Sequence, residues 1–386
     1  MERKINTSRV VGTLVILIAI VAIIVGCTAQ SGNNNSDSNE EIKLGWLGPL
    51  SGDAAAYGEP LQQVVNLAVE EINNNGGIKG KKLKVIFEDG KCEGKEALSA
   101  TQKLINIDGV KIILGGTCSG ETLGAAPAAE QNKVILFSAG SGSPDITKSG
   151  DYVFRNFPSD ATSGSKVAKA AIDNKHKKIA ILAEQTEYAQ AVKNVFKTTL
   201  TNSGGSVVID ESYASDGNDY RTQITKIKAA NPDAIYVVAQ TPAKYGLALK
   251  QIRELGVNQQ IYTNEFAAAG DILKDYSKEV EGAIYAVPYF NENEQKSKEL
   301  LDKLKAKYGK LSGALPPVYL ATQYDAVYLL SESIEKCDLN TDCIKTELYK
   351  VKNREGATGT LTIDQNGDAV FEYVLKKIVN GKESEA

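Results

Sequence analysis

Histidine is nearly absent from this chain of 386 residues, which contains His176 and no other. His176 lies in a polar, basic segment, residues 174–178, just before an apolar run. Zinc centres with imidazole ligands and Ser-His-Asp or Cys-His catalytic groups need histidine at the site. The sequence therefore excludes these kinds of site, and we expect no catalytic residue, no metal and no cofactor.

Phosphate-binding and calcium-binding patterns are also incomplete. Residues 76–82 are one residue short of P-loop spacing, and no Ser or Thr follows the lysine. Residues 140–142 lack the third glycine of a dinucleotide fingerprint. Residues 364–368 place glycine fourth rather than sixth, which does not fit an EF-hand loop and predicts a hairpin turn. The net charge of −4 predicts no nucleic-acid partner.

One long apolar run, residues 10–25, follows a basic start and ends at Gly26-Cys27. At about 16 residues it is shorter than the roughly 20 needed to cross a bilayer. We interpret residues 1–27 as a signal peptide with a lipobox, and Cys27 as the lipidation residue. An uncleaved membrane anchor is the alternative. Polar residues 28–41 would form a flexible tether, so we expect an extracytoplasmic protein anchored to the cell membrane.

Four further cysteines, an even number in an exported chain, favour two disulfides. We pair Cys92 with Cys118, because each follows a predicted strand, and Cys337 with Cys343, which closes a short loop. Residues 116–120 also resemble a nucleophile elbow centred on Cys118. That alternative needs a base, and the one imidazole lies in an unrelated segment, so we favour the disulfide.

From residue 42 onward, short β-rich runs alternate with amphipathic helical periods such as residues 60–75. This alternation predicts an α/β fold with parallel-rich sheets, and the number of strands favours two lobes over one sheet. The strand candidates are residues 42–47, 83–88, 110–114, 134–137, 152–155, 178–183, 206–209, 234–239, 260–263 and 283–287. Two more, 360–363 and 371–376, follow a helix-rich stretch at 292–352.

Small and hydroxyl-bearing residues cluster after two strand candidates, at 115–122 and 138–143. Ligands of open parallel sheets bind at these strand ends, and a helix starting near Ser119 would offer N–H groups to a carboxylate. The alternative is that these residues only form tight turns and helix caps.

Several segments together resemble the leucine/isoleucine/valine-type periplasmic binding proteins of ABC importers. They are residues 48–52, 57–58, 68–73, 76–80, 89–92, 118–119 and 152–155, with Pro288. The resemblance covers nearly all of the chain after the tether, and in that family the equivalents of Cys92 and Cys118 form a disulfide. It implies the type I periplasmic binding fold, with two Rossmann-like lobes joined by three hinge crossings. Lobe 1 would comprise 42–157 plus 289–362, and lobe 2 would comprise 158–288 plus 363–386.

The resemblance also implies roles for individual residues. Ser119 corresponds to the partner of a ligand carboxylate, whereas the carbonyl of Gly140 and the carboxylate of Glu265 correspond to partners of an ammonium group. Tyr57 and Tyr188 resemble residues that cover the ligand. The remaining candidates are Ser141 and Gly142 beside Gly140, and Thr241, which with Phe266 would shape the side-chain pocket.

Gly142 departs from the family, which commonly has threonine there. Ser141 or Ser143 would replace that hydroxyl, or the ligand would be an amide, a short peptide or another small acid. We expect capture of an apolar, branched-chain-like amino acid for an ABC permease by a monomer that is not an enzyme. The alternative is a sensing module for a signalling partner; no second membrane span or signalling domain precedes Ala386, which favours transport.

Overall fold

The computed structural model describes residues 41–309 and 313–386. The predicted signal peptide, Cys27 and all but the last residue of the predicted tether lie outside the described residues. Among the described residues, no helix has both the length and the apolarity that a bilayer span requires.

The first sheet has five strands, all parallel, in the order β2-β1-β3-β4-β5. β1 is buried over most of its length and contains the fully buried Trp46, as expected for a parallel strand covered on both faces. The strands are β1 (Ile42–Gly48), β2 (Leu83–Asp89), β3 (Ile112–Leu114), β4 (Ile135–Ser138) and β5 (Val153–Arg155).

The second sheet has seven strands in the order β14-β13-β10-β9-β8-β6-β7. Its five N-terminal strands are parallel, and β13 and β14 extend it as antiparallel strands. The strands are β6 (Lys178–Glu184), β7 (Ser206–Tyr213), β8 (Ala234–Val238), β9 (Gln260–Thr263), β10 (Ile284–Pro288), β13 (Tyr373–Val379) and β14 (Lys382–Glu385). A separate antiparallel pair is formed by β11 (Arg354–Gly356) and β12 (Gly359–Leu361).

Eleven α-helices occur in the described residues and connect these strands. They are α1 (Gly58–Asn74), α2 (Gly94–Asn106), α3 (Ser119–Asn132), α4 (Ala161–Asp173), α5 (Glu187–Asn202), α6 (Arg221–Ala230), α7 (Pro242–Glu254), α8 (Gly270–Asp275), α9 (Gln295–Tyr308), α10 (Pro317–Cys337) and α11 (Thr341–Tyr349). Short 3₁₀ helices cover Ala55–Tyr57, Pro144–Lys148 and Glu265–Ala268.

Helix α1 shows why the sequence pattern predicted these elements well. Its buried stripe includes Leu61, Val64 and Ala68, at the three-to-four-residue spacing of one helix face. The helix ends before Gly77, which has a φ of 71° and whose added Cβ would lie 2.1 Å from the Lys81 carbonyl oxygen. A residue other than glycine would not fit this turn, so the stop is encoded locally.

The chain passes between the two sheets three times: after β5, after β10, and between β12 and β13. The parallel-rich α/β architecture predicted from the sequence is therefore confirmed. We use "lobe 1" for the five-stranded sheet with α9–α11, since α10 packs on α1, and "lobe 2" for the seven-stranded sheet. The residue boundaries given above for the lobes stay a prediction.

The expected hairpin between the last two predicted strands is wrong as a strand pairing. A turn does form, in which the Asp364 N–H donates to the Asp368 carbonyl oxygen, and an isolated bridge joins Ile363 to Ala369. However, β12 pairs with β11, whereas β13 pairs with β10 and β14. The reason is burial: Tyr373 and Ile378 of β13 pack within the second sheet, so the chain crosses to lobe 2 after the turn.

Candidate functional site

A small cavity lies between the lobes, at the carboxyl ends of strands of both sheets. This is where open parallel sheets bind ligands. Residues that follow β3, β4, β6, β8 and β9 all contribute. The lining residues are Tyr57, Thr117, Cys118, Ser119, Gly140, Gly142, Tyr188, Gln240, Phe266, Leu315 and Tyr319.

The lobe 1 wall centres on Ser119, the first residue of α3. The first N–H groups of a helix have no intrahelical partner and carry the positive end of its dipole. The Ser119 Oγ accepts a hydrogen bond from the Ser143 N–H at 3.1 Å, which leaves its own proton to donate. This wall therefore offers hydrogen-bond donors at the cavity.

Glu121 fixes the backbone beside Ser119. Its carboxylate is fully buried and accepts hydrogen bonds from the N–H groups of Cys92 at 2.9 Å and of Thr117 and Cys118 at 3.0 Å. Burial raises the pKa of Glu121 to about 7, although these three donors oppose the shift. Nothing in the sequence distinguishes Glu121 from an ordinary exposed glutamate in the first turn of a helix.

Both predicted disulfides are formed in the structure. Cys92 is bonded to Cys118 with a Cα–Cα distance of 5.1 Å, and Cys337 to Cys343 with 5.6 Å. The first bond ties the loop after β2 to the residue that precedes Ser119. Cys118 is thus part of the cavity wall as a cystine, which removes the thiol that a nucleophile elbow would need.

The cavity is also lined by Tyr188 from lobe 2 and by Tyr319 from α10 of lobe 1. Behind them lies Glu265, which is 1% exposed. The Tyr319 hydroxyl donates to Glu265 Oε1 at 2.8 Å, and the Tyr188 hydroxyl approaches Oε2 at 3.5 Å. Burial raises the pKa of Glu265. The carboxylate thus has two hydroxyl neighbours and is buried next to the cavity lining.

Aromatic and aliphatic side chains form the rest of the cavity wall. The rings of Tyr57 and Phe266 stack with centroids 6.3 Å apart, and Leu315 is 5% exposed beside them. The Tyr57 hydroxyl donates to the Gln240 carbonyl oxygen at 3.2 Å, and Lys244 Nζ lies 3.2 Å from Asp53 Oδ2. These two contacts join lobe 1 to lobe 2, so the described state is closed.

The structure brings five of the eight predicted ligand-site residues to the cavity surface: Tyr57, Ser119, Gly140, Gly142 and Tyr188. Glu265 is one layer behind. Ser141 is buried, and its hydroxyl contacts the Gly116 and Thr117 carbonyl oxygens at 3.0 and 3.2 Å.

Thr241 also lies off the cavity. It caps α7 by accepting the Lys244 N–H and lines a neighbouring groove of about 240 Å³. Tyr319, Gln240 and Leu315 were missed from the sequence, where nothing local marks a residue of α10 as a neighbour of Glu265.

The described residues contain no group of three or more His, Cys, Asp or Glu side chains arranged to hold a metal ion. The polar groups at the cavity are hydroxyls and backbone groups, with the Glu265 carboxylate buried behind them. Such a set recognises charge and hydrogen-bonding groups of a small molecule.

Comparisons with known proteins show which proteins the chain resembles. The chain is 28% identical to the leucine-, isoleucine-, valine-, threonine- and alanine-binding protein of Pseudomonas aeruginosa over 85% of this chain and 87% of that protein. The branched-chain amino acid transporter substrate binding protein LivJ of Streptococcus pneumoniae, solved with isoleucine, superposes with a TM-score of 0.78. It is 28% identical, over 89% of this chain and 98% of LivJ.

A solute binding protein of an R. palustris ABC transporter, solved with benzoate, superposes with a TM-score of 0.79. It is 18% identical, over 90% of this chain and 95% of that one, and this likeness shows the shared fold alone. The match to the family described as periplasmic binding protein covers residues 41–382. The chain therefore belongs to the periplasmic binding protein family.

Proposed function

We propose that this protein captures an apolar amino acid between its lobes and delivers it to an ABC permease. The single observation that supports this most is the cavity in which Ser119 at a helix start faces the Tyr188, Tyr319 and Glu265 group. The start of the helix at Ser119 offers donors to an anion, and the Glu265 carboxylate offers an acceptor to a cation. An α-amino acid carries both charges on adjacent groups.

Desolvation makes this pairing selective. A closed cleft strips water from both charged ends of a zwitterion, which is unfavourable unless each end finds a charge-assisted partner. The ligand carboxylate would meet Ser119, and its ammonium group would meet Glu265 and the Gly140 carbonyl oxygen. The apolar side chain would lie against Tyr57, Phe266 and Leu315. The similarity to proteins named for leucine, isoleucine and valine supports this choice of side chain.

Ligand binding would act as a population shift. Contacts from both lobes are made only in the closed state, so the ligand favours that state by the free energy of those contacts. The Tyr57–Gln240 and Lys244–Asp53 contacts across the cleft support a closed form of this kind. The closed form would then dock on the permease and open there.

The location proposed for this capture step is the outer face of the cell membrane. Cleavage before Cys27 and lipidation of its thiol would anchor the protein, and residues 28–41 would tether the lobes. Fractionation of cells expressing wild type and Cys27→Ala tests this step. The wild type should stay with membranes and the variant should appear in the soluble extracytoplasmic fraction; membrane retention of the variant would contradict lipid anchoring.

A thermal-shift screen with the twenty amino acids and common small acids tests the ligand assignment. A ligand that binds the folded state alone raises the melting temperature. We expect the largest shifts for leucine, isoleucine and valine. Shifts for benzoate or other acids that lack an ammonium group, with none for amino acids, would contradict the proposal.

A further inference from the structure

Asp160 is a second buried carboxylate at the positive end of the proposed ligand site. It is 1% exposed, and its N–H donates to the Gly142 carbonyl oxygen at 2.8 Å, which holds it against a cavity-lining residue. Its Oδ1 accepts from the Tyr373 hydroxyl at 2.9 Å. Its Oδ2 is buried and has no hydrogen-bond partner among the described residues. A buried carboxylate oxygen without a hydrogen-bond donor is unfavourable, so a donor placed at this oxygen would be stabilising.

The side chain of Asp160 points away from its usual partner. Asp160 is the N-cap of α4, where an Asp carboxylate ordinarily accepts from first-turn N–H groups. Here it makes no capping hydrogen bond. It is turned toward Gly142 instead: a Cβ added to Gly142 would lie 2.0 Å from Asp160 Oδ2. The carboxylate thus occupies the space that any other side chain at position 142 would take.

The neighbourhood of Asp160 supplies little positive charge to this oxygen. The charged and titratable groups around it are Glu265, Arg155, Tyr188, Tyr236, Tyr319 and Tyr373. Arg155 uses its guanidinium on Asp368 and on the Ser141 and Ser143 carbonyl oxygens. The Tyr188 hydroxyl lies close enough to lower the pKa of Asp160 without hydrogen-bond geometry.

Asp160 and Glu265 also interact electrostatically. Burial, followed by the negative charge of Glu265, raises the pKa of Asp160 well above its ordinary value. Tyr188 lies beside both carboxylates. Two buried carboxyl groups that interact in this way cannot both ionise easily unless a cation enters.

Resting on the amino-acid function proposed above, we infer that Asp160 and Glu265 together hold one primary ammonium group of the ligand, and that Gly142 is the residue that admits Asp160. An ammonium group brings three N–H donors, enough for both carboxylates and a carbonyl oxygen. Ligands with a quaternary nitrogen, or with no cation, leave at least one carboxylate unpaired. The family that this sequence resembles commonly has threonine at position 142. The Asp160 carboxylate thus takes the place of that threonine hydroxyl, and the hydroxyls of Ser141 and Ser143 do not.

Proton release is a direct consequence of this arrangement. In the empty site a proton on the carboxyl pair limits the repulsion. The incoming ammonium group supplies the positive charge, so that proton leaves to solvent as the ligand binds. Calorimetry in buffers of different ionisation enthalpy measures the number of protons released per ligand.

The test compares wild type with Asp160→Asn, which keeps the shape and the acceptor for Tyr373 but removes the charge. Titrations use leucine, N,N,N-trimethylleucine and the simple amine isoamylamine at pH 6–7. An exposed residue of α9 provides the control variant, Asp302→Asn. We expect Asp160→Asn to weaken leucine binding about 10- to 100-fold and to reduce proton release, with no change for Asp302→Asn. The affinity of wild type for trimethylleucine should be no higher than the affinity of Asp160→Asn for leucine.

Each outcome decides between the two proposals. If wild type binds leucine and Asp160→Asn binds it equally well with equal proton release, the two-carboxylate inference is wrong and the proposed function stands. If isoamylamine binds with Asp160-dependent affinity and amino acids do not, the inference stands and the proposed function falls. If no primary ammonium ligand binds wild type, both fall. The melting temperature of ligand-free Asp160→Asn shows that it is folded; we expect it no lower than wild type, because an unpaired buried carboxyl is removed.

Discussion

Arg155 and Asp368, 213 residues apart in sequence, form a buried two-point ion pair that joins two of the three crossings between the lobes. Arg155 Nε lies 2.7 Å from Asp368 Oδ1, and Nη2 lies 2.9 Å from Oδ2. The Arg155 side chain is 0% exposed and that of Asp368 is 11% exposed. Nη1 of Arg155 donates to the Ser141 and Ser143 carbonyl oxygens, and these contacts connect the hinge to the loop that lines the cavity.

Removing one partner of this pair should strongly destabilise the protein. Asp368→Asn leaves the Arg155 charge buried without its counter-ion, and we expect the free energy of unfolding to fall by about 3–5 kcal/mol. Urea denaturation followed by circular dichroism measures the change. The more exposed pair of Arg354 and Glu332 gives the control, since Glu332→Gln should cost less than about 1 kcal/mol. Equal losses for the two variants would contradict a structural role for the hinge pair.

Glu265→Gln should weaken amino acid binding without unfolding the protein. Gln keeps an acceptor for the Tyr319 hydroxyl but loses the charge that pairs with the ligand ammonium. We expect a loss of about 2–4 kcal/mol, or roughly 30- to 700-fold in affinity, measured by calorimetry with leucine. Glu292→Gln, at an exposed position outside the cavity, is the matched control. Unchanged leucine affinity in Glu265→Gln would remove Glu265 from the site.

The two disulfides should differ in their effect on binding. Cys92–Cys118 closes a segment with a sequence separation of 26, and Cys337–Cys343 one of 6. Loop-closure entropy predicts a larger stability loss, about 3.5 against about 2 kcal/mol, for the longer loop. Replacing the first pair by serines should also weaken leucine binding, because it frees the residue before Ser119. Melting curves and titrations of both double variants check this; equal leucine affinity in the two would refute the positional role of Cys118.

Stability should decrease as pH rises from about 4.5 to about 7. Burial raises the pKa of Glu184 to about 7 in the folded state, above the ordinary value of 4.5, so the folded state binds the proton more tightly than the unfolded chain. Its contribution is fully present below about pH 4.5 and is lost through pH 7. Glu121, with the same folded pKa, adds to the slope, as do Asp160 and Glu265 with raised pKa values.

The variant Glu184→Gln isolates one part of that slope. Gln can still accept the Gln240 N–H that now donates to Glu184 at 2.6 Å. Free energies of unfolding from urea titrations at pH 5, 6, 7 and 8 should fall less steeply in Glu184→Gln, by up to about 3 kcal/mol over this range. Parallel pH profiles for wild type and variant would show that Glu184 is not the titrating group.

Local sequence patterns predicted most of the fold because strand and helix periods are encoded locally. The bounds of α1 follow from its apolar stripe and from Gly77, and the buried strands follow from short apolar runs. β11 and β14 were missed: both are short, and β14 is a polar edge strand with three charged residues in four. The pairing of β12 with β11 depends on where the chain crosses between lobes, which no local pattern records.

The candidate site was predictable only in part, for the same reason. Ser119 and Gly140 follow strands, so topology placed them at one edge. Tyr319 reaches the cavity from α10, which packs on lobe 1 far along the chain, and it was not found. Asp160 reads as an ordinary helix N-cap in sequence, and its turn toward Gly142 depends on packing between lobes.

A crystal structure of residues 41–386 with leucine tests the central claim most directly. We predict the ligand carboxylate within hydrogen-bond distance of the Ser119 hydroxyl and the ammonium group facing Glu265, inside the cavity between the lobes. Leucine bound elsewhere, or Ser119 and Glu265 facing bulk water on separate surfaces with the ligand present, would contradict the account.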